Sequence, residues 1–135
     1  MRSTMEKCSM NEIIREWISK AEADFATATR KSAARPDPNY DAVCFHAQQC
    51  AEKYLKALLI NRGVTPPKTH DLVALSRLLE PVCFEWRWPV ADLRLLTQAA
   101  VVFRYPGEFA EQEEAVAAMD ACTRLRGRLR ELIGV

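Results

Sequence analysis

Apolar residues recur along this chain at steps of three and four, the spacing that lines one face of an α-helix. Strict apolar–polar alternation of the kind that marks a half-buried strand is hard to find. The first stripe runs through Ile13, Ile14, Trp17, Ile18, Ala21, Phe25 and Ala28. Ser9-Met10-Asn11-Glu12 stands ahead of most of it as a capping box, in which the Ser hydroxyl and the Glu carboxylate would satisfy reciprocal backbone amides. This helix should stop before Arg35-Pro36-Asp37-Pro38, because proline disfavours helical geometry in the residue ahead of it. A second helix is predicted from about Tyr40 to Arg62, with Val43, Cys44, Ala47, Cys50, Ala51, Tyr54, Leu55, Leu58 and Leu59 on one broad arc. Gly63 suits the C′ position, and Pro66-Pro67 makes the next connection stiff. Thr69 is the expected N-cap of a short helix whose Leu72, Leu75, Leu78 and Leu79 face inward. A further helix from about Ala91 carries Leu93, Leu96, Ala99, Ala100 and Phe103 and stops at Arg104-Tyr105-Pro106-Gly107. The last, from about Phe109 to Ile133, has its seam at Ala115, Ala118, Met119, Cys122, Leu125, Leu129 and Leu132. The fold class is therefore all-α: an up-and-down four-helix bundle with an additional short helix.

At 135 residues the chain supports one domain with a real core, so residues 1–135 are expected to form a single helical domain with 1–8 as a flexible N-terminus. The 19 Lys and Arg nearly balance the 18 Asp and Glu, which removes the overall basic excess of a general nucleic-acid binder and leaves only a local patch to contact RNA. Cys8, Cys44, Cys50, Cys83 and Cys122 form an odd, scattered set without a C-x-x-C pair; they argue for free buried thiols rather than a disulfide framework, and no metal site is expected. No signal-peptide core and no long apolar run occur, so a cytoplasmic protein without membrane contact is the expectation. Nothing in the sequence calls for a cofactor.

The chemistry-bearing residues concentrate on the second helix. Phe45, Gln49, Glu52 and Lys56 fall together beside its apolar arc. Glu52 and Lys56, four apart in the favourable order, read either as an exposed helix pair contributing about 0.3–0.5 kcal/mol or as part of a partner surface or shallow cleft. His70 reads as a satisfied structural histidine or as a group facing a pocket, and His46 as a solvated side chain. The segment from Val82 to Trp88 holds two tryptophans about Arg87 and reads as a lid on the bundle or as a platform for bases. In the last helix Glu111, Glu113 and Glu114 precede Arg124, Arg126, Arg128 and Arg130, matching the macrodipole; arginines two apart cannot form one stripe, which favours a solvated helix end over a nucleic-acid patch.

The block Gln48-Gln49-Cys50-Ala51-Glu52-Lys53 with Lys56, then Thr69-His70-Asp71-Leu72, then Arg104-Tyr105-Pro106, together with the Ala21, Asp24 and Ala28 spacing, resembles the HEPN family of small helical domains. The resemblance runs from Trp17 onward. It implies a homodimer, and a place beside a separately encoded minimal nucleotidyltransferase in a toxin–antitoxin-like or nucleotide-handling pair. Ribonuclease members of the family resemble one another in an Arg followed, four to six residues on, by a His at the dimer cleft. Internal attack by a ribose 2′-hydroxyl needs a proton acceptor, a donor for the leaving oxygen, and a cation. Arg104 can supply the cation, but Phe109, Ala110 and Glu111 stand where the His is expected, with Glu111 the one residue there able to accept a proton. The resemblance thus implies a non-catalytic binding module whose ligand site comprises Arg104, Tyr105, Lys56, Glu52 and His70, with nucleotide or RNA as candidate ligand. The alternatives are a metal-independent ribonuclease toxin with a degenerate site centred on Arg104, and a structural role in which Arg104 pairs with Glu52 or Asp24.

Overall fold

The computed structural model describes the backbone of residues 4–103 and 105–135, and the side chains of residues 10–103 and 105–135. Its elements are α1 (Thr4–Ala33), α2 (Tyr40–Asn61), α3 (Leu72–Leu79), α4 (Val90–Val102) and α5 (Gln112–Ile133). No strand occurs among the described residues. Helices α1, α2, α4 and α5 form the bundle and the eight-residue α3 is the additional short helix. Helix α2 is central, touching each of the other four. Its arc from Val43 to Leu59 is buried as expected, and it meets Leu72, Leu75 and Leu79 of α3, Leu93 and Leu96 of α4, and Ala118, Cys122, Leu125 and Leu129 of α5 in one continuous core.

Local chemistry sets the helix ends. The Asn39 side chain accepts from the amide of Ala42 at 3.0 Å and starts α2. Gly63 ends it at φ +82°, a left-handed conformation that costs glycine nothing, and the amides of Gly63 and Val64 take up the carbonyls of Ile60 and Leu59.

Three helix boundaries and one inward position need correction. Helix α1 starts at Thr4, so Ser9 and Glu12 lie inside it rather than at a capping box. The N-cap of α3 is Asp71, whose carboxylate accepts from Val73 N at 3.0 Å, while Thr69 Oγ1 accepts from Asp71 N one step earlier. His70 therefore precedes the helix, and Leu78, about 100° around the axis from Leu79, turns outward. Helix α5 begins at Gln112, leaving Phe109 in the preceding connection and exposed. The aromatic connector between α3 and α4 does close the bundle: Trp86 is buried, its indole N–H donates to Ser76 Oγ at 2.8 Å, and its ring stacks on Trp88 at 5.8 Å.

Candidate functional site

Residues 48, 52 and 56 stand one turn apart on α2, and their side chains form a line of hydrogen bonds beneath the surface. Glu52 Oε2 accepts from Lys56 Nζ at 3.1 Å, and Oε1 accepts from Gln48 Nε2 at 3.1 Å. Nδ1 of His70 lies 2.8 Å from the same Oε1. Gln48 Nε2 also donates to the His70 carbonyl at 3.0 Å, which ties the α2–α3 connection to α2. From α1, the Trp17 ring lies 5.6 Å from Lys56 Nζ, a cation–π contact.

The Glu52–Lys56 pair is therefore not an exposed helix pair. Glu52 is 3% and Lys56 6% exposed, and their mutual attraction acts against a desolvation cost that a surface pair does not bear. Burial pushes the Glu52 carboxyl up, but the donors Gln48, His70 and Lys56 outweigh it and hold the group below its ordinary value. An ionised carboxylate only accepts, so His70 Nδ1 carries a proton and donates to it, while Nε2 makes no bond to Glu52. That ring is 77% exposed. His70 thus serves both readings, anchored on the buried side and open on the other.

A second buried carboxylate lies on the α1 side of α2. Asp24 receives Lys53 Nζ at 2.5 Å on one oxygen and faces His46 Nδ1 at 2.7 Å on the other. His46 is not a solvated side chain: it is partly buried, bonded to Asp24, and met edge-on by the Phe45 ring at 5.1 Å. Asp24, His46 and Lys53 were not among the residues expected at a site. Their signal was present in the α1 stripe, where a carboxylate stands between Ala21 and Ala28, both wholly buried.

Of the residues expected to bind a ligand, Glu52, Lys56 and His70 come together. Arg104 lies outside the described residues. Tyr105 is exposed in the α4–α5 connection, where its backbone bonds to Val102 and Glu108. Beyond it, Ala110 is buried and its amide donates to Asp41 Oδ1 at 2.6 Å. Glu111 is the N-cap of α5 and forms a capping box with Glu114, whose Oε2 accepts from Glu111 N at 2.9 Å. The one candidate proton acceptor after Arg104 thereby stands at the N-cap of α5 and is exposed.

The arginines of α5 disperse, as their spacing requires, though they are not simply solvated. Arg126 makes a bidentate pair with Glu22 of α1 through Nε at 2.7 Å and Nη2 at 2.5 Å, over the face of Phe25. Arg130 donates to Tyr54 Oη at 2.8 Å, and Arg124 to Asp92 Oδ2 at 2.6 Å. Among the described residues no group of three or more His, Cys, Asp or Glu side chains is placed to hold a metal ion, and no helix is long and apolar enough to cross a membrane.

The HEPN domain family model matches residues 14–132, and the chain belongs to that family. Two solved structures share its fold. TT1696 from Thermus thermophilus superposes with a TM-score of 0.71 at 22% identity, covering 88% of this chain and 97% of its own. ST0689, an archaeal HEPN homologue, gives a TM-score of 0.61 at 26% identity over 89% of this chain and 97% of its own. Comparison with curated protein sequences returns no match.

Proposed function

We propose that this HEPN domain is a non-catalytic binding module. It acts as a homodimer, associates with a separately encoded minimal nucleotidyltransferase in a toxin–antitoxin-like pair, and presents Arg104, Tyr105 and His70, backed by Glu52 and Lys56, to a nucleotide phosphate or a partner carboxylate. The observation that carries the reading is the state of positions 109–111: an exposed Phe, a buried Ala whose amide is given to Asp41, and a Glu engaged in a helix cap. Phe109 and Ala110 carry no group that moves a proton, and the Glu111 carboxylate stands at the capping box of α5. The test has two parts. Light scattering should give a dimer mass, and a tagged copy should retain a co-expressed minimal nucleotidyltransferase, with loss on Arg104→Ala or His70→Ala. A mixed RNA pool should survive incubation with the dimer; cleavage abolished by Arg104→Ala would overturn the proposal.

A second reading, a ribonuclease with an unconventional site, is favoured by one observation: His46 and His70 each bond a carboxylate through Nδ1, which leaves Nε2 as a candidate proton acceptor. It ranks lower because the contacts sit apart. His46 and Glu52 are six residues apart on α2, about 9 Å along the axis and about 120° around it. In this reading His46→Gln or His70→Gln abolishes cleavage as fully as Arg104→Ala does.

A further inference from the structure

A groove of about 670 Å³ runs between α4 and α5 and shares no residue with the Glu52–His70 face. Its floor is apolar: Ala91, Leu95 and Val102 recur on α4 at helical spacing, and Ala117 joins them from α5. Leu95 and Val102 are exposed, as are Val101 on α4 and Val116 on α5, so the fold leaves an apolar helix face uncovered here. Arg94, Gln98 and Glu113 line the same groove, and among the described residues none of these three side chains has a hydrogen bond or an ion pair. Glu114, also on the wall, is committed to the cap of α5.

The order of the three polar side chains decides what fits the face. The Arg124–Asp92 hydrogen bond sets position 124 of α5 abreast of position 92 of α4, and the two helices, joined by a short connection, run in opposite directions. At about 1.5 Å per residue, Glu113 then stands about 13 Å along the groove from Arg94, with Gln98 close to the midpoint. The groove is thus cationic at one end and anionic at the other, and it carries at its centre a carboxamide that both donates and accepts. Turned half a circle about an axis through Gln98, such a surface is its own complement.

We propose that a second copy of this chain covers the groove in an antiparallel twofold arrangement. Arg94 of each protomer pairs with Glu113 of the other, the two Gln98 carboxamides bond across the axis, and Leu95 and Val102 are buried between the protomers. The inference rests on the homodimer reading above and adds to it the face and the register. An unlike partner would need the same polarity of charge by coincidence, whereas a second copy has it by symmetry.

Charge reversal tests the register. Arg94→Glu sets acid against acid at both contacts and Glu113→Arg sets arginine against arginine, so each should raise the dimer Kd roughly tenfold or more in analytical ultracentrifugation. Mixed in equal amounts, the two variants should recover a dimer holding one chain of each kind, because opposite charges then meet at both contacts. The chain carrying both changes should dimerise with itself as the unaltered chain does. Leu95→Asp should leave a monomer with unchanged circular dichroism. A monomeric unaltered chain would overturn this inference together with the homodimer reading. A dimer left intact by Arg94→Glu, Glu113→Arg and Leu95→Asp would overturn this inference alone, and so would charge variants that stay apart when mixed.

Discussion

His46 on α2 and Asp24 on α1 are joined by a 2.7 Å hydrogen bond across 22 residues of sequence, and Lys53 closes on the other oxygen of the same carboxylate. One buried acid thus holds two bases of α2 and fixes how the first two helices face each other. Asp24→Asn keeps the shape but weakens both contacts at once. It should cost about 1–2 kcal/mol, more than Lys53→Met alone, in urea unfolding followed by circular dichroism.

The Glu52–Lys56 pair gives a sharper test. Glu52→Ala strands the Lys56 ammonium 6% exposed and should cost about 3–5 kcal/mol. Glu52→Leu combined with Lys56→Met removes both charges and should cost less than the single change, because no buried charge is left alone. A double variant less stable than Glu52→Ala would mean that the pair contributes net stability.

Acid should unfold the protein partly through Glu52 and Glu22. For Glu22 the bidentate bond from Arg126 lowers the carboxyl against the effect of burial, and for Glu52 its three donors overcome burial. A carboxyl held lower in the folded state than in the unfolded contributes stability that is full above its ordinary value of 4.5 and is lost as pH falls through the folded value. Stability measured in urea should therefore bend downward below about pH 4.5, and Glu22→Gln and Glu52→Gln should each flatten that limb while lowering the plateau at pH 7.

Arg126 should resist replacement by lysine. Its guanidinium engages both oxygens of Glu22 and lies 4.4 Å from the Phe25 ring centroid, a planar arrangement an ammonium cannot reproduce. The pair is partly exposed, so Arg126→Ala should cost only about 1–2 kcal/mol, and Arg126→Lys should recover less than half of that.

The buried thiols should be inert in the native state. Burial, aided by Asp41 and Glu114, pushes Cys44 up to about 11. For Cys50 the neighbouring Cys122 thiol and burial also act upward. In a Cys8→Ser background at pH 8, a thiol reagent should modify none of Cys44, Cys50, Cys83 or Cys122 within minutes and all four in denaturant.

The sequence by itself determined the family, the helices and most of the core. Three- and four-residue apolar steps are local and repeat often enough to place α2 and the α5 seam, and prolines and glycines mark where chains must turn. Glu52, Lys56 and His70 were legible as candidates because their spacing on α2 and the motif after it are local features. Their burial was not. Whether Glu52 and Lys56 face water depends on Trp17 and the α2–α3 connection, which arrive from distant parts of the chain. Asp24 was legible as a carboxylate on the buried stripe of α1, but its partners were not, since periodicity treats the positions of α1 and α2 separately and only the packing of the two helices brings His46 and Lys53 within hydrogen-bonding distance of it. The role of Glu111 depended on where α5 begins. Its start at Gln112, three residues later than the apolar pattern suggests, puts Glu111 at the N-cap, next to an Ala110 amide held by Asp41 Oδ1 from a distant part of the chain.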